Sequence, residues 1–359
     1  MTNLSDLPLR DSLKGRQPYG APQLHVAVAL NVNENTHAIP AEVKADIVAR
    51  ISNAVEQINR YPDREFMALR SKLANYLGAG LSPEQIWAAN GSNEVIQQIF
   101  QAFGGPGRKA MGFEPTYSMY SIIAQGTDTE YARAGRLDRY ELTAEFASAQ
   151  VKLHKPNIVL LCSPNNPTGT PLSLDVIEAV YAATDGIVVV DEAYAEFSAD
   201  GAKSAISLLP GRPRLLVSRT MSKAFAFAGA RVGYLAADAA VIDALRLVRL
   251  PYHLSAFTQA AAEAALDHAS VMLAAVDEIR QQRDRLVTEL EGMGLDPFRS
   301  DANFVLFGGL EDPAEVWQKL LDRGVLVRNV GIEGTLRVTA GTASETSAFL
   351  DALREVIRN

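Results

Sequence analysis

Six short apolar runs, IWAA, KAMGF, NIVLLCS, GIVVVD, LLVS and VGYLA, recur between residues 86 and 236, with stretches of helical periodicity between them. Helices are read at residues 93–103, 117–125, 173–183 and 238–248. Runs without polar alternation belong to strands covered on both faces. The alternation therefore predicts an α/β fold, a mainly parallel sheet flanked by helices. The character changes near Leu250-Pro251: residues 257–291 read as one long Ala-rich amphipathic helix, followed by NFVLF, a helix at 313–323, VLVRN, LRVTA and a last helix from 344. At 359 residues the chain exceeds what one ordinary core fills. We expect a turn-rich N-terminal arm (1–40), a large domain (41–250) and a smaller α+β domain (251–359).

Composition narrows the function classes. The chain is 48% apolar and 21% charged, ordinary for a soluble globular protein. Its formal net charge of -8 argues against nucleic acid as a partner, since that asks for a basic face. A small anion is still compatible, because local arginines and backbone N–H groups decide its binding. Cys162 is the single cysteine, so no intrachain disulfide forms and a reducing compartment is expected. The stretch MTNLSDLPLRDSLKGRQ has no apolar core of signal-peptide length, and the best membrane candidate is broken by Arg231 and Asp238. The five histidines show no metal-ligand spacing. A cytoplasmic enzyme without a metal is the expectation.

Four separated segments carry chemistry, and each also has a purely structural reading. In SRTMSKAFAFAGARVGY, Lys223 sits in a Ser/Thr-rich turn after a strand; an amine becomes a nucleophile toward an aldehyde when burial or cationic neighbours lower its pKa. Taken singly it also reads as a solvated surface lysine, and Arg231 as an ordinary surface charge. Asp191 ends the run GIVVVD, which places it at the carboxyl edge of a parallel sheet, with Tyr194 three residues on. A buried carboxylate there needs a cationic partner, such as a protonated pyridine nitrogen; alternatively it caps the next helix. SPNNPTG leaves the strand before it at the same edge, so Asn166 is either a donor to a ligand oxygen or part of a plain turn. WAANGSNE leads a strand into a helix start, where free N–H groups bind an anion unless Ser92 or Asn93 serves only as the cap. Together, an anion-binding helix start, a lysine, an arginine, a sheet-edge aspartate and an Asn-rich turn match the phosphate, aldehyde, pyridine nitrogen and phenolic oxygen of pyridoxal 5'-phosphate (PLP).

With these segments, PYGAPQL, NEN, RYPD, PTYSMY, LVRLPYHLS, SDANFVLF and LRVTAGT also match, and the chain resembles the fold-type I PLP-dependent transferases, specifically the histidinol-phosphate aminotransferase family, nearly end to end. The resemblance implies a seven-stranded-type sheet and a Schiff base on Lys223. It implies Asp191 on the pyridine nitrogen, Asn166 and Tyr194 on the phenolic oxygen, and Tyr117 stacked on the ring. Ser92, Asn93, Thr220, Ser222 and Arg231 would hold the phosphate, and Tyr61 would reach the cofactor of the neighbouring subunit in a homodimer. Arg337, Arg328 and Tyr19 would meet substrate anions, with Asn33, Asn35 and Tyr252-His253 lining the donor pocket. The implied reaction is transamination of histidinol phosphate with 2-oxoglutarate, yielding glutamate, in histidine biosynthesis. An aromatic aminotransferase of the same subfamily remains open, as does a PLP lyase; a PLP-binding regulator lacks room for a DNA-binding module in residues 1–40. Where the family often reads Asn-Glu-Asn-Pro, this chain has Thr36, which frees φ at one turn residue.

Overall fold

A computed structural model describes residues 3–357. In chain order the first elements are β1 (Val28–Ala29), α1 (Ala41–Val55) and α2 (Met67–Leu77). There follow β2 (Ile86–Ala89), α3 (Ser92–Phe103), β3 (Lys109–Phe113), α4 (Met119–Gly126), β4 (Glu130–Ala134) and α5 (Ala144–His154). Then come β5 (Ile158–Cys162), α6 (Leu174–Ala182), β6 (Ile187–Asp191), β7 (Leu215–Thr220), β8 (Gly233–Ala236) and α7 (Ala239–Val248). Seven of these strands form one sheet in the order β2-β8-β7-β6-β5-β3-β4. Pairing is parallel from β7 across to β4, and β8 runs antiparallel to both β7 and β2.

The six expected runs all lie in this sheet. β5 and β6 are buried along their whole length, which is why IVLLC and IVVV carry no polar residue before Asp191. The strand β4 was not among the expected runs. It is the sheet edge, largely exposed or half-buried, and an edge tolerates the charges of EYARA. Because β2 to β7 share one direction, residues 90–93, 114–117, 163–166, 191–194 and 220–223 all leave the sheet at one edge. Open α/β sheets bind ligands at that carboxyl edge.

The C-terminal third contains α8 (Ala256–Asp267), α9 (Ala269–Met272), α10 (Ala275–Gly292), β9 (Asp296–Pro297), β10 (Phe304–Gly308), α11 (Pro313–Asp322), β11 (Val325–Leu326), β12 (Leu336–Thr339) and α12 (Ala343–Ile357). The single helix expected over 257–291 is therefore three. Asp267 accepts from Arg50 at 2.8 Å and pairs with Lys72, and His268 Nε2 lies 3.2 Å from Asp46. These contacts pin the end of α8 to α1 and α2, while α10 turns toward a different core. Ala261, Ala262, Ala265, Leu266 and Met272 pack into the core of the large sheet. Val276, Ile279, Leu286 and Leu290 pack into a second core with the antiparallel sheet β12-β10-β9. VLVRN makes a ladder only over its first two residues; Arg328 instead forms an isolated antiparallel bridge with Arg337.

Two features tie the arm to this frame. Arg10 donates to the Gly126 carbonyl at 3.0 Å and Ser12 to Asp128 at 2.9 Å, so the arm crosses the end of α4. Farther on, β1 pairs in parallel with β11, Val28 opposite Val325, which stitches the end of the arm into the second core. Among the described residues no helix is long and apolar enough to cross a membrane.

Candidate active site

A cavity of about 440 Å³ opens between the carboxyl edge of the large sheet and the second core. At one end lies an anion cradle. Ser92 and Asn93 line it at the first turn of α3, whose first N–H groups have no partner within the helix. The cap is Gly91 at φ 85°, with no side-chain bond, so neither Ser92 nor Asn93 acts as the N-cap. The start of β8 presses against this turn: a Cβ on Gly233 would strike the Ser92 nitrogen and the Gly91 backbone, so only glycine fits there. Thr220 Oγ1 donates to Ser222 Oγ at 3.0 Å, and Arg231 Nη1 reaches Ser222 Oγ at 3.3 Å. Hydroxyls, helix amides and a guanidinium thus converge, the arrangement that binds phosphate.

Asp191 lies on the floor, 2% exposed. It accepts from Tyr120 OH at 2.8 Å and Ser218 Oγ at 3.0 Å, and burial pushes its carboxyl above the usual range. A cationic partner would restore the charged form. Tyr120 and Ser218 were not anticipated, yet both had a periodic signal. Tyr120 is three residues beyond Tyr117, one helical turn on, and Ser218 is two before Thr220 on the same strand face. Tyr117 donates to Asn93 Oδ1 at 3.1 Å, fixing its ring across the cavity wall.

Lys223 stands between the two ends of the cavity. Its Nζ donates to the Val32 carbonyl at 3.0 Å. Burial, seconded by the nearby Arg337 and Arg231 charges and opposed by Glu34, lowers the amine to about 8. A depressed amine pKa means the neutral, nucleophilic form prevails above that pH. The apoprotein should therefore combine with an aldehyde at a rate that climbs with pH and levels off just above 8. Rapid-mixing absorbance at stepped pH checks this, and a rate still climbing near pH ~10, as for a solvated lysine, would refute it.

Tyr194 OH receives Asn33 Nδ2 at 3.0 Å and Asn166 Nδ2 at 3.4 Å. Both amides are oriented from behind: Thr339 Oγ1 donates to Asn33 Oδ1 at 3.3 Å, and Arg337 Nη1 to Asn166 Oδ1 at 2.5 Å. With two N–H groups on its oxygen, the Tyr194 hydroxyl proton is left to point into the cavity.

Arg328 and Arg337 close the far end. They exchange both backbone hydrogen bonds at 2.9 Å, a directly opposed pair whose side chains share one face. Arg337 also donates to the Asn31 carbonyl at 3.0 Å, but its Nε is buried without a partner among the described residues. Burial and the Arg328 charge lower the Arg337 guanidinium to about 10, still a cation near neutral pH. Among the described residues the Arg328 side chain has no hydrogen bond or ion pair. Tyr19, 51% exposed, stands at the mouth.

Four of the expected residues do not line this cavity, among them Tyr61, whose expected place is the neighbouring subunit's cofactor. Asn35 turns away and donates to the Ala224 carbonyl at 3.1 Å. Tyr61 and Tyr252 stack on each other at 4.4 Å in a separate surface cleft, where Tyr61 is 80% exposed. His253 is held by Ala88 O at 2.9 Å and stacks on Trp87, away from the cavity.

The family description aminotransferase class I and II matches residues 26–353. The chain belongs to this family. The aminotransferase is 64% identical over 360 residues to a histidinol-phosphate aminotransferase of Paenarthrobacter aurescens (strain TC1), covering 99% of this chain and 97% of the relative. It is 56% identical to one from Thermobifida fusca (strain YX), covering 98% and 96%. A crystal structure of histidinol-phosphate aminotransferase from Sinorhizobium meliloti, in complex with pyridoxal-5'-phosphate, matches with a TM-score of 0.84 at 25% identity, covering 93% of this chain and 91% of that one. The aminotransferase has the fold-type I architecture that its sequence led us to expect.

Proposed function

We propose that this aminotransferase uses PLP to transfer the amino group of L-histidinol phosphate to 2-oxoglutarate, giving imidazole acetol phosphate and L-glutamate in histidine biosynthesis. The observation that carries the reading is a cavity with an anion site at each end and one perturbed amine between them. The names of the relatives at 64% and 56% identity support the same substrate.

The residues present fit the cofactor. Asp191 is a buried carboxylate that takes hydrogen bonds from the Tyr120 and Ser218 hydroxyls and, among the described residues, no cation, suited to a ring nitrogen that stays protonated. Ser92, Asn93, Thr220, Ser222 and Arg231 would hold its phosphate, Tyr117 would lie against the ring, and Asn166 and Tyr194 would donate to the phenolic oxygen. When bound, PLP supplies the aldehyde that takes up the amino group and the ring that stores carbanion charge.

The chain's own residues do the rest. Lys223 Nζ would hold the cofactor at its aldehyde and would take and return the donor's Cα proton; an amine near 8 accepts and returns protons at working pH. Val32 O holds that amine while it is free. Arg328 and Arg337 orient the substrate, since a guanidinium fork pairs equally with phosphate or carboxylate, and one pocket then serves both substrates in turn. Tyr19 closes the mouth.

We assign the active unit as a homodimer. Tyr61, Leu247, Leu250 and Ile58 are large apolar side chains left 80%, 86%, 75% and 57% exposed in one subunit, which suits a face covered by a second copy. Tyr61 and Tyr252 would then serve the partner's cavity. A cytoplasmic location agrees with the single, buried, free Cys162.

The test is a half-reaction. The holoenzyme's visible absorbance is followed while histidinol phosphate, phenylalanine and glutamate are offered separately. Histidinol phosphate should bleach the band faster than phenylalanine by about tenfold or more, the worth of one charge-assisted contact. A faster response to phenylalanine would move the enzyme to the aromatic branch, and no visible band at all would overturn the cofactor.

A further inference from the structure

We propose that Thr36 is a positioning residue for the amino donor: its hydroxyl ties segment 30–36, whose residues 31–33 line the cavity, to the N-terminal cap of α12. The proposal rests on the transamination reading above and extends it to a residue outside the cavity.

Segment 30–35 is a strut that touches the substrate end of the site and the lysine-bearing turn. Leu30 O accepts from Thr339 N at 3.0 Å, Asn31 O from Arg337 at 3.0 Å, Val32 O from Lys223 at 3.0 Å and Asn33 O from Asn303 at 3.1 Å. Asn33 itself sits at φ 57°, the left-handed region that asparagine tolerates better than other side-chain-bearing residues. Asn35 then bonds the carbonyl of Ala224, next to Lys223. Thr36 follows directly, a few residues ahead of α1.

What fixes Thr36 is specific. Thr342 and Glu345 form a capping box at the start of α12: Thr342 N donates to Glu345 Oε2 at 2.8 Å, and Glu345 N donates to Thr342 Oγ1 at 3.3 Å. That reciprocal pair satisfies the helix end by itself. Thr36 Oγ1 adds a further donor to the same Oε2, at 2.6 Å. The contact needs Glu345 to lie flat over the preceding turn, which Gly341 permits, because a Cβ there would strike Glu345 and Leu30. Asn35 and Thr36 thus bridge the lysine-bearing turn of the large sheet to the second core. A proline at position 36 would fix φ covalently; a threonine has no such lock, and here a charge-assisted hydrogen bond sets the position.

The consequence falls on the substrate end. Asn31 to Asn33 form one wall of the cavity beside Arg337, whereas Ser92, Asn93, Ser222 and Arg231 lie at the other end. Loosening position 36 lowers the fraction of molecules with that wall in place, which raises the apparent dissociation constant of the donor and leaves the cofactor cradle alone.

The experiment compares holoenzyme carrying Thr36→Val, Thr36→Ser, Glu345→Ala, and Thr36→Val with Glu345→Ala. Thr36→Val should raise the donor KM about five- to tenfold, the range of one lost hydrogen bond, with kcat and cofactor retention within about twofold. Thr36→Ser should restore KM, and Thr36→Val should add nothing in the Glu345→Ala background. Hydrogen exchange at residues 31–37 should quicken in Thr36→Val while residues 91–93 and 220–223 stay protected, a readout independent of turnover. A wild-type enzyme that fails to transaminate would overturn the parent reading. An active wild type with unchanged KM and exchange in Thr36→Val would overturn this one. So would additive effects in the double variant, or a KM rise accompanied by cofactor loss that serine does not rescue.

Discussion

Lys223→Ala should abolish the visible absorbance of the bound cofactor and lower transamination by about four orders of magnitude, the upper range for a positioned acid–base group. Lys223 is the one amine among the described residues that line the cavity, and two jobs depend on it. It supplies the nitrogen that binds the aldehyde, and it is the base that reaches the substrate Cα. The cradle at Ser92, Ser222 and Arg231 is untouched by the change, so the variant should still retain PLP noncovalently through its phosphate. Absorbance spectra of the dialysed variant, with fluorescence for retained cofactor, separate the two effects. A visible band that persists in Lys223→Ala would remove the basis for the assignment.

The second large effect is expected at the opposite end of the cavity. Arg337→Lys should lower kcat/KM for both the amino donor and the oxo acid by about 30- to 100-fold, since a point charge replaces a fork and a charge-assisted pair is lost. Among the described residues the buried Arg337 Nε has no partner and Arg328 stands beside it uncompensated, so an anion entering here finds donors already in place. Because neither arginine belongs to the phosphate cradle, the variant should retain its cofactor through dialysis. Steady-state kinetics with each substrate varied in turn measures the loss; unchanged kinetics would sink the substrate-anion role. Reciprocal loss for both substrates would also mean that one site takes a phosphate in one half-reaction and a carboxylate in the next.

What the sequence disclosed follows physical periodicity. Strands β5 and β6 were readable because burial on both faces leaves an unbroken apolar run, and the residue that breaks it, Asp191, is the functional one. Edge strand β4 escaped because solvent permits Glu130 and Arg133 in it. The breaks after Asp267 and Met272 escaped because an Ala-rich pattern continues through both; contacts with Asp46, Arg50 and Lys72, distant in sequence, end the first helix. In the site, Lys223, Asn166, Tyr194 and Arg337 were legible as side chains in motifs. The carbonyls of Asn31 and Val32 were not, since any residue type offers the same oxygen to Arg337 or Lys223. Likewise, no local pattern says that Tyr61 and Tyr252 stack together, or that Asn35 turns from the cavity toward Ala224.

The pairing of Val28–Ala29 with Val325–Leu326 has a consequence for the order in which the molecule is made. Every residue of the cofactor cradle lies between Ser92 and Arg231, so a growing polypeptide has synthesised the whole cradle while more than a hundred residues, Arg328 and Arg337 among them, are still to come. The substrate end draws on Tyr19 to Asn33 and on Arg328 to Arg337, one portion made before the cradle and one after it, and it exists only once those portions meet. A ligand that binds the cradle stabilises whichever partly assembled form already contains it. Cofactor capture can thus precede substrate recognition during synthesis.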